Sequence, residues 1–261
     1  MLIPIGDEPN PPGIPWMTCL LIAANILVFV QLTMPMDSRP LDLRIPGASE
    51  YVDTVARQVG ASRQAVLRQV TAYDLFVFQR GGYRPAKPEL QPLLYSMFLH
   101  AGLLHLIGNM IYLWIFGNNV EHRLGSIAFL LCYVATGAVA TLSFAAFRPG
   151  YPLPLLGASG AISGVLGFYF IWFPHHSVQV VIVLFGYWKY ALEAWWVLVF
   201  YLVVDNVVPL VMGAGPGGVA HSAHLGGFVA GVVAAKLIDA VGGHEGKPPS
   251  RRLPGFNGRR S

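Results

Sequence analysis

The sequence predicts an all-α integral membrane protein whose six transmembrane helices form one bundle. Three observations predict it. Only 11% of the 261 residues are charged and 54% are apolar, with a mean hydropathy of +0.54, whereas a soluble domain is about a quarter charged. Six apolar stretches approach the roughly 20 residues a helix needs to cross a bilayer. The charges gather outside those stretches, in residues 35–92, with eight basic and six acidic side chains, and in a basic tail that supplies most of the net charge of +4. A short basic tail suits anionic lipid rather than nucleic acid. Cys19 and Cys132 lie in apolar segments, so neither a disulfide framework nor a metal site is expected, and no cofactor is implied.

Taken in order, residues 1–15 read as a proline-rich polar lead on the cytoplasmic side. The first span is 16–34, with Trp16 at the interface. No basic stretch precedes it, so it reads as an uncleaved span, not a signal peptide. Residues 35–92 form a long outer loop, with two short helices at 49–59 and 62–72 parted by Gly60 and capped by Ser49 and Ser62. The second span is 93–117, followed by a loop from Asn118 to Ser126. The third is 127–146. The Arg148–Pro154 turn leads into the fourth, 155–173, ended by Pro174. The apolar run 178–187 is too short to span and reads as an interfacial segment. The fifth span is 193–212, broken by Gly213–Gly218, and the sixth is 219–241. The spanning domain is therefore 16–241, with 242–261 a basic disordered tail. An even number of spans puts both ends on one side. Lys247, Arg251, Arg252, Arg259 and Arg260 make that side the cytoplasm.

Polar residues within spans mark function. Ser159 lies in Gly157-Ala158-Ser159-Gly160 at the start of span four, between glycines that let a substrate backbone approach. Gly160, Gly164 and Gly167 recur at i, i+4 and i+7, a bare stripe on which another helix can pack closely. Read alone, the stretch is equally a packing motif with an incidental serine. In span six, Gly227 and Gly231 share a face with His224 and not with His221. His224 is thus the one placed to reach Ser159, and His221 reads as a helix-start residue. His105 and Asn109, at i and i+4 on span two, can donate hydrogen bonds to an oxyanion or serve as interhelical polar contacts. All these residues lie near the N-terminal ends of even-numbered spans, which run the same way. They therefore meet at one depth, on the outer side if the tail is inside. No acid presents itself as a third partner: Asp205 lies deep in span five and Asp239 at the far end of span six.

These motifs resemble the rhomboid family of intramembrane serine proteases. The match rests on Gly157-Ala158-Ser159-Gly160, on His105-Leu106-Ile107-Gly108-Asn109, on Ala223-His224-Leu225-Gly226-Gly227-Phe228-Val229-Ala230-Gly231 and on Glu121-His122-Arg123-Leu124-Gly125. The resemblance implies a six-helix rhomboid-like bundle that cleaves transmembrane segments with a Ser–His dyad. Carried over, Ser159 is the nucleophile and His224 the base. His105, Asn109 and the backbone at Gly157 and Ser159 line the oxyanion and substrate site. His100, Glu121 and Arg123 match positions that brace the loop after span one. Four residues after the nucleophile, where part of the family has an aromatic packed on the catalytic histidine, this chain has Ser163. The 41–72 stretch has no counterpart in that pattern. The implied partners are transmembrane substrates within the lipid bilayer, and the implied location is the inner membrane of a prokaryote with the site facing outward. The other readings of the same groove are a non-catalytic binder of client helices and a small transporter using Asp205 and the histidines. A zinc protease is disfavoured, because no His-Glu-x-x-His occurs.

Overall fold

The computed structural model describes residues 2–183, 187–212 and 220–242. The expected Gly213–Gly218 break lies outside the described residues, as does the expected tail beyond Gly242. The chain opens with a strand, β1 (Leu2–Glu8), followed by the first long helix, α1 (Trp16–Asp37). The helix begins directly after Pro15, and its first amides are held by a carboxylate from elsewhere in the chain. Glu121 accepts from Met17 N (2.9 Å), Thr18 N (2.7 Å) and Thr18 Oγ1 (2.8 Å), and Ser126 Oγ donates to it at 2.6 Å. A buried anion at a helix N-terminus satisfies donors that have no partner within the helix.

Three short helices follow: α2 (Ala48–Val59), α3 (Arg63–Leu67) and α4 (Ala72–Phe76). Gly47 and Gly60, both at positive φ, bound α2, so Ser49 falls inside the helix instead of capping it. Ser62 does cap α3, accepting from Ala65 N at 3.2 Å. The helix expected over 62–72 stops at Leu67, and α4 starts afresh from a Thr71–Asp74 capping box. Ala48, Tyr51, Val52, Val66, Leu75 and Phe78 bury together as a small core separate from the bundle.

The second span differs most from expectation. Residues 90–124 divide into α5 (Leu90–Tyr95), extended by a 3-10 turn to Phe98, and α6 (Leu103–Leu124), bent by 86° at an extended link that ends at Gly102. Asn118 and Asn119, expected in a loop, continue α6, and only Gly125, at φ +78°, turns the chain into α7 (Ser126–Phe147). The polar side chains there serve tertiary bonds: Glu121 holds α1, and Asn119 Nδ2 donates to Asp7 on β1 at 2.8 Å. The fourth span, α8 (Ser159–Trp172), starts four residues later than expected. Leu155 and Tyr83 exchange backbone hydrogen bonds (2.8 and 3.0 Å), and Gly157 sits at φ +122°, so neither can join a helix.

After α8 the chain forms β2 (Ser177–Val183) and β3 (Tyr187–Glu193), which with β1 make an antiparallel sheet ordered β1-β2-β3. Residues 2–8 of the lead and the described residues of the 178–187 run are thus in strands. Val178 and Val180 are buried around an exposed Gln179, the period-2 alternation of β-branched residues that suits a sheet. The last two helices are α9 (Ala194–Val211) and α10 (His221–Val241). Within α9, residues Val203–Val207 form a π-helical turn just before Pro209, which has no N–H to give to the carbonyl four residues back.

Among the described residues, α1, α7, α9 and α10 are each long and apolar enough to cross a membrane. The bent α5–α6 pair qualifies as a fifth span, and α8, an apolar helix of 14 residues, is shorter. At 1.5 Å per residue α8 is about 21 Å long, some 9 Å short of a typical hydrocarbon core. It lies at the centre, packed on α6, α7 and most closely α10. A Cβ on Gly231 would overlap the Gly164 carbonyl oxygen, one on Gly227 the Gly160 oxygen, and one on Gly167 the Phe228 oxygen. The two backbones touch because five glycines leave nothing between them.

Candidate active site

The glycine contact fixes what the two helices carry at one end. Ser159 is the first residue of α8, and His224 lies in the first turn of α10. Ser159 Oγ and His224 Nε2 are 2.7 Å apart. The serine's own amide is among those that a helix N-terminus leaves unpaired.

His105 and Asn109 come from α6, and both line a cavity of about 760 Å³ that also contains Ser159 and His224. The Ala101 amide approaches His105 Nδ1 at 3.5 Å, which leaves Nε2 as the donor. Nε2 points at Gly157: a Cβ there would lie 2.9 Å from it and 3.6 Å from Ser159 Oγ. Asn109 is buried, and its Nδ2 has no partner among the described residues. The cavity therefore holds a hydroxyl on an imidazole and two side-chain donors with no acceptor among the described residues. Oxyanion sites are built from such donors. His100 lies behind them, fully buried, edge-on to His105 at 5.1 Å between ring centroids.

The roof of the cavity comes from the loop after span one. Tyr51, Val55 and Val59 of α2 and Asp74 of α4 line it, together with Phe144, Arg148 and Tyr151. Burial holds the Asp74 carboxyl above its ordinary range, and Thr71 N–H and hydroxyl bonds partly offset this. His221 also faces the cavity, and its Nδ1 has no partner among the described residues. Asp205 faces outward from α9, and Asp239 sits far off, accepting from Arg123 (2.9 Å) and Trp172 Nε1 (2.9 Å). Glu121 and Arg123 thus lie at the opposite end of the bundle from the loop they were expected to brace. Among the described residues no three His, Cys, Asp or Glu side chains group as metal ligands.

A family model described as "Rhomboid domain" matches residues 87–239, more than half of the chain. The chain belongs to the rhomboid family. Its relatives include the protein named "Rhomboid protease GluP" from Bacillus subtilis, 29% identical over 226 residues, covering 87% of this chain and 35% of GluP. "Presenilin-associated rhomboid-like protein A, mitochondrial" from Danio rerio is 31% identical over 170 residues, covering 63% of this chain and 42% of that protein. "RHOMBOID-like protein 4" from Arabidopsis thaliana is 27% identical over 254 residues, covering 92% and 57%. The matched region is thus between about a third and three fifths of those relatives' own lengths. Family membership and the apolar helices make this rhomboid a multi-pass integral membrane protein.

Two neighbours of the dyad were not anticipated, and both come from α9. Asn206 Oδ1 lies 2.7 Å from His224 Nδ1, and its Nδ2 donates to Tyr201 O at 2.9 Å. The Tyr201 ring lies within 29° of parallel to the His224 imidazole, with centroids 6.3 Å apart. Its hydroxyl shares a 2.7 Å bond with Ser163 Oγ, which in turn donates to Ser159 O at 2.7 Å. Ser163 thus stands where some rhomboids have an aromatic, and the ring beside the histidine is supplied by another helix. The signal for Asn206 was a second polar residue, next to Asp205, in an otherwise apolar span. Which of the pair faced inward was hidden by the π turn.

Proposed function

We propose that this rhomboid is an intramembrane serine endopeptidase that cuts transmembrane segments of membrane proteins. The observation that carries the reading is the 2.7 Å Ser159 Oγ–His224 Nε2 contact beside Asn109 Nδ2, a buried donor with no partner among the described residues. His224 takes the Ser159 proton as Oγ attacks a peptide carbonyl carbon. The carbonyl oxygen becomes an oxyanion, which Asn109 Nδ2, His105 Nε2–H and the Ser159 amide are placed to stabilise. The C–N bond then breaks, the amine leaves with the proton from His224, and an acyl-serine remains. Water, deprotonated by His224, attacks that ester and releases the carboxylate and Ser159. The scheme calls for neither metal nor cofactor.

The short α8 bears on where this happens. With one end level with the inner boundary, a helix of about 21 Å ends below the outer one. Ser159 then meets a substrate helix just inside the outer headgroups. The basic residues from Lys247 to Arg260 support an inward tail and an outward site, as in a prokaryotic inner membrane. Substrate helices that unwind readily are favoured, because a helical carbonyl is already hydrogen-bonded.

The test uses purified protein in proteoliposomes with a single-span substrate, alongside covalent labelling by a fluorophosphonate. Cleavage and labelling are expected in the wild type and absent in Ser159→Ala and His224→Ala. His221→Ala is expected to keep most activity. Full cleavage by Ser159→Ala overturns the reading, and capture of the substrate without cleavage or labelling favours a binder.

A further inference from the structure

Resting on that protease reading, we propose that Asn206 is the positioning residue for His224, fixing the imidazole as its Nδ1–H tautomer so that the Nε2 lone pair faces Ser159. The inference follows from which atoms can donate. The Tyr201 carbonyl oxygen can only accept, so the Asn206 atom 2.9 Å from it is the NH₂ group. The opposite orientation would set two acceptors against each other. With Nδ2 committed there, the atom left facing His224 Nδ1 at 2.7 Å is the amide oxygen, which also only accepts. His224 Nδ1 must therefore carry the proton. In a neutral imidazole the other nitrogen is then the acceptor, and it is the one 2.7 Å from Ser159 Oγ.

The fold explains why this asparagine can do so. Asn206 is 1% exposed on a helix whose neighbours Val203, Val204 and Asp205 are all exposed. The π-helical turn Val203–Val207 widens the helix here, and the Asn206 side chain bonds the carbonyl five residues back instead of four. One turn of α9 thus presents two groups to the same imidazole, the Asn206 oxygen at its Nδ1 and the Tyr201 ring beside its face. Orienters of a catalytic or ligating imidazole commonly change activity by tenfold or far more when replaced, through the wrong tautomer as much as through lost alignment.

The test compares wild type, Asn206→Leu and Asn206→Asp. Leucine keeps the volume and removes the acceptor. Aspartate, ionised or protonated, still presents an acceptor to His224. Asn206→Leu is expected to slow fluorophosphonate labelling of Ser159 by about 100-fold, with KM for a single-span substrate nearly unchanged. Asn206→Asp is expected to recover at least about tenfold over leucine. ¹⁵N spectra of histidine-labelled protein, with His224 assigned by its absence in His224→Gln, should show the Nδ1–H tautomer in the wild type and a mixture in Asn206→Leu. Labelling of Asn206→Leu at the wild-type rate overturns the proposal. So does an aspartate variant no faster than leucine at equal thermal stability, or an Nε2–H tautomer in the wild type. If leucine fails to fold, the wild-type and aspartate spectra decide. A wild type that is never labelled at Ser159 instead defeats the protease reading, and the tautomer spectra still judge Asn206.

Discussion

Replacing Gly231 by alanine tests whether helix contact sets the chemistry. The added Cβ overlaps the Gly164 carbonyl oxygen and also crowds the Gly164 carbonyl carbon at 2.8 Å. These are backbone atoms at the centre of a helix and cannot rotate away. Ordinary contact near 3.5 Å with that oxygen requires the two helices to part by about 1.5 Å. Overpacking of this kind costs about 1–3 kcal/mol of stability. The same displacement opens the Ser159 Oγ–His224 Nε2 distance from 2.7 Å to about 4 Å, beyond hydrogen-bond reach, and a misplacement of even about 1 Å costs about 100-fold in rate. Gly108→Ala on α6 is the control, since a Cβ there meets nothing within 4 Å and an exposed helix position gains about 1 kcal/mol on that change. The assay is the rate of fluorophosphonate labelling with thermal unfolding in the same detergent. Gly231→Ala should unfold earlier and label about 100-fold more slowly, while Gly108→Ala should do neither. A Gly231→Ala protein that labels at the wild-type rate would refute the claim that glycine contact positions the dyad.

Gly157→Ala should abolish cleavage with little effect on global unfolding, because φ is +122° and the new Cβ would lie 2.9 Å from His105 Nε2; cleavage of a single-span substrate and circular dichroism read the two effects. Tyr201→Phe removes only the 2.7 Å bond to Ser163 and should slow labelling less than about tenfold, one neutral hydrogen bond being worth about 1 kcal/mol; Tyr201→Ala, which also removes the ring, should be slower still. Burial raises the folded pKa of Asp74 above its value of 3.8 when exposed, so the folded roof binds the proton more tightly than the unfolded loop does. Its stability therefore falls as pH rises from 3.8 through the folded value, and is lowest above it. Limited proteolysis within residues 38–89 should accordingly be faster at pH 7 than at pH 4.5, and Asp74→Asn should narrow that difference. An unchanged difference in the variant would show that another group sets it.

Much of this was legible in the sequence because glycine spacing carries direct geometric content. The repeats at Gly160, Gly164 and Gly167 and at Gly227 and Gly231 make two bare faces, and close packing of those faces is what their backbones show. Helix ends were less legible. Leu155 and Gly157 were read into span four, but Tyr83, 72 residues earlier, binds Leu155 by backbone bonds that no local pattern announces. Asn118 and Asn119 were read as loop on polarity, when their partners are residues of the N-terminal segment. β1 was missed for a related reason: a short edge strand with Pro4 inside it and Pro9, Pro11 and Pro12 just after it carries no signal until its partner is known. The roof was visible as two helices but not as a lid, because its small core and the cavity it covers depend on tertiary contacts.

Ser163 shows how one local departure is absorbed by the fold. At a position one turn along α8, an aromatic side chain could itself lie against His224. Serine leaves that volume open, and the structure fills it from α9 with Tyr201, whose hydroxyl bonds the very serine that made room. A ring brought from α9 can align with the imidazole only if the helix presents Tyr201 and Asn206 on one side. Five residues on a regular α-helix are separated by about 500°, or 140° apart. The π-helical turn, whose hydrogen bonds run five residues back instead of four, winds more slowly and brings them nearer a common face. Pro209 sits where it can favour that irregularity, by withholding one N–H from the preceding turn. The serine, the tyrosine, the asparagine and the proline therefore form one linked solution. Restoring an aromatic at position 163 without changing Tyr201 should clash rather than help, so Ser163→Tyr is expected to label more slowly than wild type, and Ser163→Tyr with Tyr201→Ala faster than Ser163→Tyr alone.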